Sequence, residues 1–374
     1  MMKVESKHRE VSRQLLSEIA AGKYGASSRL PGEEQLVKKF GVSRTTIGRA
    51  LRDLQIEGVI ERRAGSGTYV RKQNPNSPGA RQLGLLIPEL AAIEIFTLIC
   101  GELASVARAQ EHTLLWGDSA QQYYGRDIGP EQAVELCEQC IERRVSGVFF
   151  APFETIVRSK EINQNLAKHL SNAGIPVVLL DRDSTPFPQR SEFDLVASDN
   201  CAGGRLVAEH LLKLGCQRLA FVARSNFPST VEARISGVRD TLLRHQRELP
   251  QDWIRIGDPE DVKFVRSLTA GRRWDAVVCA NDQTAARLMQ ALEKDNVRVP
   301  RDVRVVGFDD VKYATLLSVP LTTIHQSARD IAVTAYRAML DRIAEPTLPA
   351  RTILLSPRLV VRESCGAYLP HKAK

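Results

Sequence analysis

The sequence predicts a two-lobed α/β body that carries a winged helix-turn-helix domain at its amino-terminal end. Three observations point there. Early in the chain, apolar residues recur at helical spacing and are punctuated by glycines. From Gln82 onward, short continuous apolar runs alternate with amphipathic stretches. Between the two patterns lies Lys72-Gln73-Asn74-Pro75-Asn76-Ser77-Pro78-Gly79-Ala80, which has no apolar periodicity and reads as a linker. At 374 residues the chain exceeds one ordinary core, so two or three domains are expected.

In the first module, Val11, Leu15 and Ile19 give one helical face, ended by Gly22 and Gly25. Pro31 opens a second helix with Leu36, Val37 and Phe40 inward, and Gly41 stops it. Ser43 is placed to N-cap a third helix that runs through Ile47, Ala50, Leu51 and Leu54 to Gly58. Two short helices joined by a tight glycine turn form a helix-turn-helix. The segment 59–63, the turn Ala64-Gly65-Ser66-Gly67 and the run Thr68-Tyr69-Val70 then predict a hairpin, the wing.

Charge and chemistry give this module a partner. The chain holds 52 Lys and Arg against 44 Asp and Glu; residues 1–80 hold 15 and 8 of them, leaving a near-neutral 37 and 36 for the rest. A basic head on a neutral body suits a polyanion. The third helix starts on Ser43, Arg44, Thr45 and Thr46, whose hydroxyls, guanidinium and free N–H groups suit phosphates and base edges, and Arg49 lies one turn on. Arg62 and Arg63 flank the wing turn. Any one arginine is more often a solvated surface residue, but this ordered set predicts double-stranded DNA.

In the body, the runs 83–87, 114–116, 148–150, 177–180, 219–222, 276–279 and 303–306 predict strands. Helical patterns over 96–110, 131–144, 202–214, 231–244, 283–295 and 328–344 alternate with them, as parallel sheets covered by helices require. Ligands of such sheets sit beyond the carboxyl ends of the strands. There the sequence places Asp181-Arg182, Asp199-Asn200, Asn281-Asp282 and Asp309-Asp310, a set able to bind hydroxyls bidentately. Helix capping is the competing role for Asp199, Asn200 and Asp282. Phe96 is either core or a ring offered to a sugar face.

The run Leu30-Pro31-Gly32-Glu33-Glu34-Gln35-Leu36, followed by Gly41-Val42-Ser43-Arg44-Thr45-Thr46-Ile47 and Gly65-Ser66-Gly67-Thr68-Tyr69-Val70, resembles the GntR family of bacterial regulators. The resemblance implies DNA contacts from Arg29, from Ser43 to Thr46, and from Gly65 and Gly67. Where that family usually has Arg in the recognition helix, this chain has Gly48 followed by Arg49. Downstream, Gly174-Ile175-Pro176-Val177-Val178-Leu179-Leu180-Asp181-Arg182, Gly203-Gly204, Arg234 with Gly237, Ala280-Asn281-Asp282, Val305-Val306-Gly307-Phe308-Asp309-Asp310 and Pro320-Leu321-Thr322-Thr323-Ile324 resemble the LacI/GalR family. That likeness implies a periplasmic-binding-protein-like body that dimerises and hinges around a small molecule. Effector contacts would fall on Ile95 or Phe96, Asp181, Arg234, Asn281, Asp309 and Gln326. The place near Pro259 where that family often carries an aromatic has none, and its usual hinge helix is missing between head and body. GntR-headed regulators with LacI-type bodies, such as arabinose-responsive repressors, share this organisation.

The expected domains are 1–72 (head), 73–82 (linker), 83–364 (effector binding and dimerisation) and 365–374 (tail). Within the body, lobe 1 is expected over 83–195 and 325–350, and lobe 2 over 196–324 and 351–364. The expected function is a DNA-binding repressor, a homodimer on a roughly palindromic operator, whose effector is a carbohydrate. Two other readings are a solute-binding protein for transport, and a regulator whose body no longer binds a ligand. The first would need a signal peptide, whereas Met1 to Ile19 is charged throughout. Seven scattered cysteines predict reduced thiols and a cytoplasmic protein. Cys137-x-x-Cys140 has no second pair at zinc-like spacing, and no Walker loop, nucleophile elbow or GxGxxG occurs. No metal, cofactor, enzymatic activity or membrane span is therefore expected.

Overall fold

The computed structural model describes residues 7–20, 23–24, 29–56, 60–63, 66–70, 81–88, 94–116, 129–154, 156, 158–225 and 227–369. Residues 73–80 of the expected linker, Gly65 and residues 370–374 of the expected tail lie outside them.

The head has the expected order. Helix α1 (Lys7–Ala20) turns Val11 and Leu15 inward, α2 (Glu33–Phe40) Leu36, and α3 (Arg44–Ile56) Ile47, Ala50, Leu51 and Leu54. Strands β1 (Ile60–Arg63) and β2 (Gly67–Val70) pair antiparallel, with Ile60 opposite Val70 closing this core. Gly41 ends α2 at φ +62, its N–H donating to Val37 O at 2.9 Å; a left-handed cap favours glycine because it has no Cβ to clash. Pro31 precedes the second helix rather than sitting inside it, and Gly32 is the N-cap.

The first body lobe is a parallel sheet of six strands in the order β13-β7-β6-β5-β3-β4. Its members are β3 (Gln82–Leu86), β4 (Thr113–Trp116), β5 (Gly147–Phe150), β6 (Val177–Leu180), β7 (Asp194–Ser198) and β13 (Thr352–Leu355). Successive residues point to opposite faces, and both faces are covered. Leu83, Leu85, Phe149, Val178 and Leu180 pack with α4 (Glu94–Ala109) and α11 (Ala328–Ala344). Leu86, Phe150, Val177 and Leu179 pack with α5 (Pro130–Glu142) and α6 (Ser159–Asn172). Two covered faces are the reason these strands read as unbroken apolar runs instead of alternating ones.

The second lobe has a four-stranded parallel sheet, β11-β10-β8-β9. It comprises β8 (Leu219–Ala223), β9 (Ile254–Ile256), β10 (Ala276–Cys279) and β11 (Arg304–Val306). Helices α7 (Asn200–Lys213), α8 (Ser229–Arg244), α9 (Val262–Thr269) and α10 (Asp282–Lys294) accompany it, with an antiparallel pair of β12 (Thr323–His325) and β14 (Arg358–Val360). The chain crosses between lobes three times, after β7, between β12 and α11, and between β13 and β14. The lobe boundaries therefore differ from expectation. Residues 196–198 complete β7 in the first sheet, β12 through His325 belongs to lobe 2, and 352–355 adds to lobe 1 as partner of β7. Sheet pairing, not local pattern, assigns these segments.

Two glycines set the crossing of α7 and α8. A Cβ on Gly204 would lie 2.1 Å from Arg234 O, and one on Gly237 would lie 2.0 Å from Cys201 O. The backbones of the two helices thus touch where only glycine fits. On the next residue of α7, a Cβ on Gly203 would lie 2.6 Å from the Phe308 ring.

Candidate functional site

Two surfaces carry the expected chemistry. On the head, Ser43 Oγ accepts from Thr46 N at 3.2 Å, the N-cap of α3, and shares short contacts with the hydroxyls of Thr45 and Thr46, 2.8 Å each. Arg44 is 72% exposed and pairs with Glu33 at the start of α2, Nε to Oε2 3.2 Å. Such an exposed pair is weak and leaves the guanidinium available. Arg29 forms a bridge with Tyr69, and Leu30 N donates to Thr68 O at 2.8 Å, so the segment before α2 lies along the wing. Gly67, at φ +129, lies directly under the Arg29 side chain, where a Cβ would come within 2.5 Å of Nε. Arg29, Arg44 and the start of α2 border one open concavity. Arg49 is exposed, and beyond the backbone of its own helix no described atom lies within 4 Å of where a Cβ on Gly48 would stand. Arg63 lies in β1, but its side chain, like Gly65, is outside the described residues.

Among the described residues, eight non-glycine residues have positive φ, and three of them are carboxylates at strand ends of the body: Asp181 (φ 66), Asp309 (φ 119) and Asp310 (φ 57). Strained backbone of this kind concentrates at functional sites. Arg234, from α8, is buried. Its Nε donates to Asn200 Oδ1 at 2.8 Å and its Nη1 to Ala280 O at 2.5 Å, Nη2 lies 3.7 Å from Asp309 Oδ1, and the guanidinium sits 3.7 Å from the Phe308 ring centroid. Gly203 and Gly204 make this possible, one admitting the ring and the other the helix that bears the arginine. Gln326 Nε2 donates to Asp309 Oδ1 at 2.7 Å. Buried Asp181 Oδ1 and Gln326 Oε1 have no hydrogen-bond partner among the described residues.

Burial pushes the Asp309 carboxyl up to about 6, against the opposing pull of Arg234 and the Gln326 bond, and the charges of Asp181 and Glu94 push the same way as burial. Asp282 is also raised, first by burial and then by Asp309. Its oxygens accept from Thr323 Oγ1 at 2.5 Å and Val311 N at 3.0 Å, which makes it a tie between α10 and the strands beside it.

The structure thus brings Asp181, Arg234, Asp309 and Gln326 together between the lobes. Asn281 is the N-cap of α10, its Oδ1 accepting from Thr284 N at 2.8 Å, so its acceptor is engaged by the fold. Asp199 caps α7 through Ala202 N at 2.8 Å, as the competing role proposed. Asn200 and Asp282 do not cap: one positions Arg234 and the other bridges elements. Ile95 and Phe96 pack in the core of the first lobe because the first turn of α4 must cover the sheet, and Phe96 meets the site through the Arg182 guanidinium, 4.9 Å above its ring. Sequence reasoning missed Glu94 and Tyr313, both close enough to Asp309 to be felt electrostatically. It also missed Glu154, which inspection of the end of β5 would have found. Cys137 and Cys140 are buried in α5, and burial pushes their thiols up to about 12 and about 11, the inert direction. Among the described residues no group of His, Cys, Asp and Glu is arranged to hold a metal, and no helix is long and apolar enough to cross a membrane.

Comparison with known proteins finds matches to both the head and the body. The family model for bacterial regulatory proteins of the gntR family matches residues 7–70, and that for a periplasmic binding protein-like domain matches 208–365. The chain is 25% identical over 371 residues to the arabinose metabolism transcriptional repressor of Geobacillus stearothermophilus, covering 96% of this chain and 97% of that protein. It is 30% identical over 241 residues to the ribose operon repressor of Escherichia coli (strain K12), covering 63% of this chain and 70% of that one. Of the solved structures, a transcriptional regulator CelR–cellobiose complex matches with TM-score 0.64 at 23% identity, over 86% of this chain and 91% of the other. The lac repressor dimer bound to operator and an anti-inducer matches with TM-score 0.62 at 24% identity, over 77% and 95%. At those identities the structures speak for the fold.

Proposed function

Because the chain belongs to the LacI/GalR-type transcriptional regulators, with a GntR-type winged helix-turn-helix as its DNA-binding head, we propose that it is a repressor whose operator affinity is set by a sugar held between the two lobes. Asp181, Arg234, Asp309 and Gln326 would hold that sugar. Arg29, Ser43, Arg44, Thr45, Thr46 and Arg49, with the wing at Arg63, Gly65 and Gly67, would meet the operator. Two copies joined through their bodies would present two heads to a palindromic site in the cytoplasm.

One observation carries the effector reading. The buried acceptors Asp181 Oδ1 and Gln326 Oε1 have no hydrogen-bond partner among the described residues, and they lie beside the largely buried Arg234–Asp309 pair. Buried polar groups are normally satisfied, so this geometry calls for a ligand that donates hydrogen bonds to them and accepts from arginine. Hydroxyls do both. The three nearby carboxylates Asp181, Asp309 and Glu94 oppose an anionic ligand. The relatives named for arabinose and ribose point the same way.

The test is titration calorimetry of the full chain against neutral pentoses, hexoses and disaccharides, their phosphates, and purines. A neutral sugar should bind, and Arg234→Ala should weaken it by at least tenfold, about 1.4 kcal/mol. Binding of a purine or a sugar phosphate alone, or full affinity retained in Arg234→Ala, would overturn the assignment. Gel shift with and without the bound sugar then fixes the sign, with release from the operator as the expected result.

A further inference from the structure

Glu154 stands four residues beyond β5, in the first lobe, and its side chain is 7% exposed. One carboxylate oxygen pairs with Arg182, whose side chain is 1% exposed and which directly follows Asp181. The other oxygen crosses to the second lobe, accepting from Ser229 N at 3.1 Å and from Ser229 Oγ at 2.9 Å. Ser229 is the first residue of α8, so the carboxylate also faces the positive end of that helix dipole. Five residues along the same helix is Arg234, and the Gly204–Gly237 crossing locks α8 onto α7.

We propose that Glu154 and Ser229 clasp the two lobes together, with Arg182 holding Glu154 in place for Ser229. A buried carboxylate depends on its donors, so parting the lobes strips Glu154 of two of them at once. The clasp lies beyond the residues assigned to the effector and does not depend on which molecule enters the cleft, or on whether one does. It joins the two sides of the site by a chain of direct contacts. Asp181 is next to Arg182, Arg182 holds Glu154, Glu154 holds Ser229, and Ser229 begins the helix of Arg234. Any force that moves α8 relative to β6 therefore acts on the clasp.

The test uses the intact chain without ligand. Nitroxides at Lys168→Cys on α6 and Arg244→Cys on α8, both exposed positions, report the distance between lobes by pulsed electron resonance. Ser229→Pro removes the N–H and the hydroxyl together, yet proline suits the first position of a helix, and Pro228 at φ −64, ψ 156 already has the backbone that a following proline requires. Glu154→Gln keeps size and an acceptor while removing charge, and Ser229→Ala removes the hydroxyl alone. The wild type should show mainly the short distance. Ser229→Pro should raise the open-to-closed ratio at least tenfold, with smaller rises in Glu154→Gln and Ser229→Ala. Identical distributions in the wild type and the variants, or a wild type already dominated by the long distance, would overturn the clasp.

Discussion

Asp309, its side chain 15% exposed, lies beside one arginine and within reach of Asp181, Glu94 and Asp282, and its backbone is held at φ 119. A ligand with hydroxyls gains from that arrangement, while the ligand-free fold bears its cost. The sign follows from the raised pKa. Above about pH 6 the folded state holds an ionised carboxylate that burial disfavours, and the cost is then full. Between pH 6 and the ordinary aspartate range near 4 the folded state is protonated first, so the cost shrinks as pH falls. Asp309→Asn should therefore raise the melting temperature of the ligand-free chain at pH 7.5, by roughly 1–3 kcal/mol of stability, and should bind sugar poorly. The stability gain should fade as pH drops from 6 towards 4. Thermal denaturation across that range checks it, and a variant less stable than wild type at pH 7.5 contradicts the burial argument.

The α7–α8 crossing shows how two helices deliver one side chain. With a Cβ 2.1 Å from Arg234 O, Gly204→Ala must push the helices apart, since the obstacle is backbone and cannot rotate away. We expect a loss of about 2–3 kcal/mol in denaturant unfolding and, because Arg234 rides on the displaced helix, a larger fractional loss of sugar affinity than of stability. Gly48 in α3 is the opposite case. No described atom beyond the helix backbone lies within 4 Å of its added Cβ, so Gly48→Ala should stabilise the head by about 0.5–1 kcal/mol through helix propensity alone. Calorimetric unfolding reads the first effect, and a gel shift beside it shows whether the bare backbone is used against DNA. A destabilised head would show that this helix face packs on something.

For the molecule as a whole, the proposed function makes repression and effector binding one coupled equilibrium. A sugar that weakens operator binding tenfold must itself bind tenfold more weakly to the operator complex, because the free-energy cycle closes. Sugar titrations of the free chain and of the chain saturated with operator duplex should differ by that same factor. Equal sugar affinities alongside an operator shift would mean that the shift does not come from binding in the cleft. The clasp supplies the element whose two arrangements such coupling needs, since it joins the first lobe directly to the helix that carries Arg234.

Much of this was legible along the chain, and for a definite reason. Helical and strand periodicity, glycine stops and serine or aspartate caps act within a few residues of their own position. So α1 to α3, the wing, and most strands and helices of the body are written where they occur. Local pattern failed where pairing decides. The strand 352–355 belongs to the first sheet only because β7 is there to receive it, and β9, β12 and β14 are three-residue pieces with no period of their own. Asp181, Arg234 and Asp309 were found as strand-end or family positions, while Glu94 and Tyr313 had no local mark, and the end of β5 marks Glu154 but not its partner Ser229, 75 residues on. Phe96 illustrates the same limit: its sequence position suited either core or ligand, and only the fold shows it packed in the first-lobe core beneath Arg182. The order of the elements, the basic head and the polar strand ends were thus already fixed in the chain, through forces that reach only neighbouring residues. Which carboxylate joins the lobes depends on partners far along the chain, Arg182 for Glu154 at a separation of 28 and Ser229 at 75, and only folding brings those together.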